Sequence, residues 1–377
     1  MIAERTSMTG KSIGLIIPVI LLLASCFPAQ EPLPLSLQKD QSSQNRYLEA
    51  FIPNLMTKGH VPGLSIALIR NGNISWYKGF GMKSVKTKEP VDAFTIFEAA
   101  SLTKPVFAYA VMRLVEEGIL DLETPLINYV PKEKIEMSIG HSLDYPGFRR
   151  DWAEQINARM VLSHSSGLPH GERDKPFPIF FKPGSRYKYS AVGYYYLQLA
   201  IEELKGEKLE VIINKYVLEP LNMKNSSMVW KKGLEETSAN GHDKYGKPKD
   251  FRKRKQAHSA ASLYTTAVDY ARFVCAVIDG TGLKQETLKE MLSPQIDVNK
   301  GKGLSWSLGF GLQKDNNGKA FWQWGDYGIF RNYIIAYPKE RFGVVYLTNS
   351  YYGLSICQEI VSKTIGGKAI GVSFLGY

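Results

Sequence analysis

The stretch from Phe94 to Gly118 reads FTIFEAASLTKPVFAYAVMRLVEEG, and it decides the fold and the chemistry expected of this chain. Its first seven residues are strand-like, and Val106 to Gly118 has helical spacing with a glycine stop. Ser101 is expected to cap this helix, and Pro105 suits an early helical position. Residues three apart on a helix share a face, so Ser101 and Lys104 should project together.

The Ser101–Lys104 pair predicts an acyl-enzyme site. A serine hydroxyl becomes a good nucleophile when a base removes its proton, and a lysine can be that base when burial or another cation lowers its pKa. The N–H groups at the start of the helix would stabilise the negative charge that develops on the attacked carbonyl. A second match, Ser36 to Lys39, lies in a proline-rich segment without a flanking strand or helix, and we interpret it as a chance match.

Length and composition fit a soluble globular protein with a sizeable core. The chain has 377 residues, of which 44% are hydrophobic and 22% charged. The net charge is +11, and seven of the positive charges lie in Lys244 to Lys255 (KYGKPKDFRKRK). We interpret this segment as a solvated loop, with contact to a membrane surface or polyanion as the alternative. No nucleic-acid-binding motif accompanies it, so no nucleic-acid partner is expected.

The N-terminus predicts a lipoprotein signal peptide over residues 1–25. Two basic residues precede an apolar run, 13–23, that is too short to span a membrane. The sequence LASC ending at Cys26 resembles the bacterial lipobox, in which the cysteine is acylated. This resemblance implies a tether over residues 26–45 and a protein anchored to a membrane of the bacterial cell envelope, facing the periplasm or exterior. An ordinary signal peptide cut elsewhere, or an uncleaved anchor, is the alternative.

Residues 46–370 are predicted to form one catalytic domain of the α+β class. Leu64 to Phe80, around Asn71-Gly72, is a hairpin signal near its start. Three strand candidates lie near its end, followed by a helix at about 353–365; they are Trp306 to Gln313, Phe330 to Tyr337 and Phe342 to Thr348. Strands at both ends predict one antiparallel sheet built from both chain ends, flanked by helices and carrying an inserted helical subdomain.

Five short segments of this domain occur in an order that indicates a known family. They are SLTK at 101–104, MVLSHSSGLP at 160–169, KPGSRYKYSAVGY at 182–194, EPLNM at 219–223 and SAASLYTTAVD at 259–269. Together they resemble the serine β-lactamase and penicillin-binding-protein family, and most of all its branch of class C β-lactamase-like enzymes, esterases and D-amino-acid peptidases. The resemblance covers most of residues 46–370, and it implies that family's fold and a serine hydrolase activity.

The same resemblance assigns roles to individual residues. It implies that Tyr189 joins Ser101 and Lys104 as a catalytic residue, and that the backbone N–H groups of Ser101 and Asp326 form the oxyanion hole. Lys104, kept uncharged by burial, would help to take the serine proton. Tyr189, whose pKa a nearby Lys104 ammonium would lower, would later protonate the leaving group.

Two substrate-binding motifs depart from the family pattern. The Tyr-x-Asn motif is Tyr189-Ser190-Ala191, so Ala191 offers no amide to a substrate carbonyl. On an inner strand, Gln323-Trp324-Gly325 stands in place of Lys-Thr-Gly or His-x-Gly, which removes the cation that would help to hold a substrate carboxylate. Trp324 is expected to be a pocket wall, or else a buried aromatic residue. These changes remove substrate anchors and leave the nucleophile and base intact.

Three functions remain open at this point. The first is an esterase-like serine hydrolase acting on small esters or amides, and the second is a D-alanyl-D-alanine carboxypeptidase or β-lactamase. The third is a non-catalytic peptidoglycan-binding lipoprotein, because losing motifs is also typical of inactive homologues. A monomer with a small-molecule or peptide substrate is expected in the first two cases.

Other chemistries find little support in the sequence. The histidines lack paired metal-ligand spacing, so no metal and no cofactor are expected, and His164 is predicted to make a structural hydrogen bond. Cys275 and Cys357 lie in apolar helical patterns and are predicted to be buried free thiols, with a disulfide as the alternative.

Overall fold

The structure is a computed structural model that describes residues 1, 40–139, 149–171 and 179–377. The predicted signal peptide, Cys26 and Ser36 lie outside the described residues, as does most of the predicted tether. A helix already begins at Gln41, inside the range predicted for the tether, because Asp40 accepts hydrogen bonds from the backbone N–H groups of Ser42 and Ser43 and so caps it.

The strands, numbered in chain order, are β1 (Gly63–Arg70), β2 (Asn73–Gly81), β3 (Phe97–Glu98), β4 (Gly241–His242), β5 (Pro248–Lys249), β6 (Tyr264–Thr265), β7 (Ile296–Asn299), β8 (Leu304–Trp306), β9 (Gly311–Asp315), β10 (Gly318–Asp326), β11 (Arg331–Tyr337) and β12 (Phe342–Thr348). The main sheet has eight strands in the order β2-β1-β12-β11-β10-β9-β8-β7, and its neighbouring strands are antiparallel.

The helices are α1 (Gln41–Lys58), α2 (Thr103–Glu116), α3 (Lys132–Ile139), α4 (Arg150–Ala153), α5 (Ala158–Leu162), α6 (Val192–Lys205), α7 (Leu209–Ile213), α8 (Leu234–Thr237), α9 (Ala267–Asp279), α10 (Gln285–Met291), α11 (Cys357–Ile365) and α12 (Ile370–Phe374). Helices α2 to α10 lie between β2 and β7 in the chain. The predicted α+β fold, with one sheet built from both chain ends, is therefore confirmed.

The pairing of the terminal strands follows from their sequences. Asn71 and Gly72 both adopt positive φ, at 53° and 76°, as a tight turn between β1 and β2 requires. On its other edge, β1 pairs with β12 from the far end of the chain, and Leu64 lies opposite Thr348. Every residue of β1 is buried, because this strand lies inside the sheet and both of its faces are covered.

Two helical layers cover the sheet. On one face, Leu64 and Ile66 of β1 pack with α1 and α11. On the other face, Ala67 and Ile69 of β1 join the larger core, which includes α2 and α9. The alternation follows the two-residue period of a strand. The N-terminus of α2, where Ser101 was expected, therefore lies on the side of the sheet that carries the helical subdomain.

The predicted strand Trp306 to Gln313 is wrong in its boundaries. The chain turns at Gly309, where φ is 103°, and a Cβ at this position would lie 2.4 Å from Ala108 Cβ of α2. β8 and β9 therefore form a short hairpin against α2. The strand predictions also missed β10, a central strand of the sheet, although the family resemblance had placed Gln323-Trp324-Gly325 on an inner strand.

The prediction of two buried free thiols is confirmed for Cys357 and only in part for Cys275. Both cysteines are free, but Cys275 is only partly buried. Burial raises the pKa of each thiol to about 12.

Within the described part of the chain, no helix combines the length and the apolar character that a membrane span requires.

Candidate active site

Ser101 lies in a short 3₁₀ turn, Ala100–Leu102, that leads directly into α2. The structure gives α2 no side-chain cap, so the prediction that Ser101 caps this helix is wrong. Ala100 adopts φ 50°, a left-handed conformation that is uncommon outside glycine. On its N-terminal side, the turn is held by the pairing of β3 with β6 and by the Ala99 N–H, which donates to Leu263 O at 2.8 Å. The serine hydroxyl is thus left available for Lys104.

Lys104 is buried, with 1% of its surface exposed, and its amine faces the serine. Its Nζ lies 3.1 Å from Ser101 Oγ and donates to Ala260 O at 2.9 Å. Burial lowers the pKa of Lys104 to about 7, because the charged form is poorly solvated there. A neutral amine within hydrogen-bond distance of the hydroxyl can accept its proton, which is the role that the sequence predicted for Lys104.

Tyr189 completes the cluster from the opposite side. Lys104 Nζ lies 4.8 Å from the centre of its ring. Burial raises the pKa of Tyr189 above its usual value, and hydrogen bonds with Ser101 and Gln323 offset only part of that effect. The expectation that a Lys104 ammonium lowers the pKa of Tyr189 is therefore wrong in direction. Near neutral pH the pair consists of a readily deprotonated amine and a phenol that keeps its proton.

His164 holds the backbone on both sides of Tyr189. Its carbonyl accepts the N–H of Lys188 at 2.8 Å, and its Nδ1 accepts the N–H of Ser190 at 3.1 Å. Its ring centre lies 4.2 Å from that of Tyr189. Burial lowers the pKa of His164 well below its usual value, with Lys104 adding to the effect, so the ring stays neutral and keeps Nδ1 as an acceptor. The predicted structural hydrogen bond is confirmed.

Gln323 contacts both the backbone of Ser101 and the side chain of Tyr189. Its Nε2 lies 3.3 Å from Ser101 O and 3.4 Å from Tyr189 Oη. The carbonyl of Ser101 can only accept, so the nitrogen of the amide must point towards it. The side chain is completely buried and carries no charge. Gln323 is thus a neutral donor at the position where the resemblance would place the lysine or histidine of the third motif.

The other three predicted substrate-binding residues are neighbours in sequence of Tyr189 or of Gln323. Trp324 is 8% exposed, and its ring centre lies 4.7 Å from that of Tyr189, so it packs against this tyrosine. Ala191 is also largely buried and precedes the first turn of α6. Gly325 has no room for a side chain, because a Cβ there would lie 2.2 Å from Ala99 O.

The end of β10 runs beside the Ser101 turn. The pairing of β9 with β10 extends only to Trp322, and Gly325 lies against Ala99 instead. Asp326, the last residue of β10, is fixed through its carboxylate, which pairs with Arg331 Nε at 3.2 Å and accepts the Gly328 N–H at 2.6 Å. An oxyanion hole made by the backbone N–H groups of Ser101 and Asp326 remains a prediction from the resemblance.

Sequence reasoning missed several contributors to the site. Ala260, whose carbonyl holds Lys104, lies in the segment 259–269, but an alanine carbonyl carries no sequence signal of its own. Trp306 packs edge-on to Tyr189, with ring centres 5.9 Å apart. Neither contact could be inferred, because both depend on how distant segments meet. In the described ranges, no group of three or more His, Cys, Asp or Glu side chains could hold a metal ion.

Comparison with known proteins agrees with this geometry. The family model described as beta-lactamase matches residues 48–356, which is most of the chain. The chain therefore belongs to the β-lactamase family, and it is a serine hydrolase of that family.

Three relatives illustrate the range of activities around it. The esterase EstB of Burkholderia gladioli is 23% identical over 320 residues, covering 74% of this chain and 81% of that protein. The structure of a D-alanine carboxypeptidase AmpC from Burkholderia cenocepacia has a TM-score of 0.71 and 18% identity, covering 86% of this chain and 99% of that one. A class C β-lactamase structure has a TM-score of 0.71 and 21% identity, covering 88% and 99%. At these identities the two structures establish the fold alone.

Proposed function

We propose that this protein is an esterase-like hydrolase that acts on small esters through an acyl-enzyme on Ser101. The observation that carries the proposal is the neutral amide of Gln323 between Ser101 and Tyr189. A substrate that depends on a cation at this position for its carboxylate loses that anchor, whereas an ester with a neutral acyl group does not need it.

The chemistry follows from the protonation states. Lys104 takes the hydroxyl proton as Ser101 Oγ bonds to the acyl carbon, and the carbonyl electron pair moves to oxygen. When the tetrahedral intermediate collapses, the bond to the leaving alcohol breaks. Tyr189 gives its proton to that oxygen and regains one from the Lys104 ammonium. Water then attacks the acyl-enzyme, passes a proton to the same pair, and releases the acid with the Ser101 hydroxyl restored.

The second candidate is a carboxypeptidase or β-lactamase, and it is favoured by the structural neighbours that carry those names. Loss of a hydrogen bond to a charged group costs about 1.5–3 kcal/mol, or about 10- to 150-fold in transition-state binding. We therefore expect lactams and peptides that need such an anchor to be poor substrates. The complete Ser101–Lys104–Tyr189 cluster speaks against the non-catalytic alternative.

The test compares kcat/KM for p-nitrophenyl butyrate and nitrocefin, with Ala191→Asn and Gln323→Lys measured alongside. We expect the ester to be the better substrate of the wild type, and the two substitutions to shift the ratio towards nitrocefin. Equal or higher efficiency on nitrocefin would move the protein to the carboxypeptidase and lactamase side. Labelling by a fluorophosphonate probe in the wild type but not in Ser101→Ala checks that an acyl-enzyme can form at all.

A further inference from the structure

Two arginines of the basic segment lie beside the active site, on a single tyrosine. The guanidinium of Arg252 lies 3.9 Å from the ring centre of Tyr327, and that of Arg254 lies 5.3 Å from it. Arg254 Nη2 also donates to Tyr327 Oη at 2.7 Å. The sequence suggested a solvated loop for this segment. For these two residues that interpretation is incomplete, because their side chains converge on one point.

Tyr327 is linked to Lys104 through two consecutive backbone carbonyls, those of Ala260 and Ala261. Tyr327 directly follows Asp326, the residue expected to supply an oxyanion-hole N–H, and its hydroxyl donates to Ala261 O. The neighbouring carbonyl, Ala260 O, accepts from Lys104 Nζ at 2.9 Å. The arginine pair is thus connected to the catalytic cluster through the loop that holds Lys104.

The backbone that carries the arginines is fixed. The N–H of Arg252 donates to Glu98 Oε1 at 2.9 Å, and the N–H of Arg254 donates to Tyr264 Oη at 3.2 Å. The carbonyl of Arg254 accepts the N–H of Trp230 at 2.8 Å. Both Glu98 and Tyr264 are buried, so they hold this part of the loop against the core. The two guanidiniums are therefore presented from a defined position.

The two positive charges are only partly balanced. Across the described residues, neither guanidinium has a carboxylate within 4 Å. Glu98 is the acidic group that faces both of them. Lys253, between them in sequence, pairs with Glu235 at 2.8 Å, and the carboxylate of Asp326 is engaged by Arg331. Two cations face one acid here, which leaves capacity for an anion from outside.

We propose that Arg252 and Arg254 bind a carboxylate carried by the substrate at a distance from the scissile bond. A planar guanidinium matches a carboxylate geometrically, and a bidentate pair is among the stronger charge-assisted contacts. An anion would then be recognised beside Tyr327 and not at the third motif, where Gln323 is neutral. This inference rests on the proposed function, because its first test uses ester substrates. Its second test measures ligand binding and does not require turnover.

The first experiment uses two matched substrate pairs at low ionic strength. One pair places the carboxylate on the acyl part, as in the p-nitrophenyl monoester of adipic acid against p-nitrophenyl hexanoate. The other places it on the alcohol part, as in 3-carboxyphenyl butyrate against phenyl butyrate. We expect the charged-to-neutral ratio of kcat/KM to fall by about tenfold in the Arg252→Gln/Arg254→Gln double variant for one pair. Added salt should reduce the wild-type ratio.

The control is the Lys247→Gln/Lys255→Gln double variant, which removes two exposed positive charges from the same segment. Its ratio should match the wild type, whereas a long-range attraction that depends only on the number of charges would be weakened as much as in the arginine double variant. An unchanged ratio in the arginine double variant for both pairs would overturn the proposal, and so would an equal fall in the lysine double variant.

The second experiment measures adipate binding to the Ser101→Ala variant by ligand-observed NMR. Binding that weakens about tenfold when both arginines are also replaced supports the site even if no ester is cleaved, in which case only the proposed function fails. Absence of adipate binding, or binding that does not depend on Arg252 and Arg254, contradicts the site while leaving the ester hydrolysis intact.

Discussion

The amine of Lys104 lies 3.1 Å from Ser101 Oγ, and the lysine side chain is almost completely buried. These two facts belong together, because the burial that removes water from the amine also lowers its pKa to about 7. The same burial raises the pKa of Tyr189. One desolvated site therefore yields a base and an acid from groups that would both be protonated in water.

The pH dependence of the rate should follow the deprotonation of Lys104. We expect kcat/KM for a neutral ester to rise as the pH increases through about 7, because only the uncharged amine can take the Ser101 proton. A pH-rate profile between pH 5 and 9 measures it. A profile that is flat through this range, at a constant ionic strength, would exclude Lys104 as the titrating base.

The same shift predicts an effect on stability. The pKa of about 7 in the folded protein lies below the usual lysine value of 10.5, so between these values the unfolded chain binds the proton that the folded protein has released. Stability therefore increases with pH in this window, and the cost of burying the charge is largest below pH 7. Lys104→Met should raise the melting temperature more at pH 6 than at pH 9. The exposed Lys86→Met is the control and should show no such difference.

Ser101, Lys104 and Tyr189 should act as one unit. We expect Ser101→Ala, Lys104→Ala and Tyr189→Phe each to reduce kcat by about 100- to 10,000-fold, and combinations to cost little more. Single-turnover kinetics on one ester measures all the variants. Ser36→Ala, at the chance match outside the described residues, is the control. Multiplicative losses in the double variants would show that the three residues act independently.

His164 should position Tyr189 without taking part in proton transfer. His164→Phe keeps an aromatic ring but loses the acceptor for the Ser190 N–H, so we expect kcat to fall about 10- to 100-fold with little change in KM. His164→Asn supplies a new acceptor and should recover part of the loss. His60→Phe is a matched control, because His60 also has a positive φ and contacts an aromatic ring, that of Tyr352. Full activity in His164→Phe would show that His164 is not needed to position Tyr189.

Gly325 should be required for β10 to reach the nucleophile. A Cβ at Gly325 would lie 2.2 Å from Ala99 O, so Gly325→Ala must push the strand away from the Ser101 turn. We expect kcat/KM to fall at least about 100-fold, which is the typical loss when one donor of an oxyanion hole is removed. The melting temperature should also fall. Gly301→Ala is the control, since its Cβ would meet only Asn299 Oδ1, at 3.5 Å. Normal activity in Gly325→Ala would show that this approach is not needed.

We also propose that Cys26, which lies outside the described residues, carries the lipid anchor. A single acyl chain binds membranes only marginally, so stable attachment needs the several chains of a bacterial lipoprotein. Cys26→Ala should abolish labelling by a palmitate analogue and release the protein from membranes into the soluble fraction. Continued labelling of the variant would place the modification elsewhere or exclude it.

The sequence by itself determined the parts of this protein that depend on local pattern. The Asn71-Gly72 hairpin, the helix after Ser101 and the α+β class follow from periodicity and turn chemistry, which act between near neighbours in the chain. The pairing of Ser101 with Lys104 also follows, because helical geometry fixes residues three apart. Tyr189 and Gln323 were reached through the ordered motifs and not through any local rule.

Only the tertiary structure decided the electrostatics and the walls of the site. Lys104 has a lowered pKa because the folded chain buries it, and burial also raises the pKa of Tyr189, whose shift was predicted in the wrong direction for this reason. The convergence of Arg252 and Arg254 on Tyr327 likewise depends on where a loop meets the end of β10. Desolvation and charge proximity are properties of three-dimensional surroundings, and sequence spacing does not encode them.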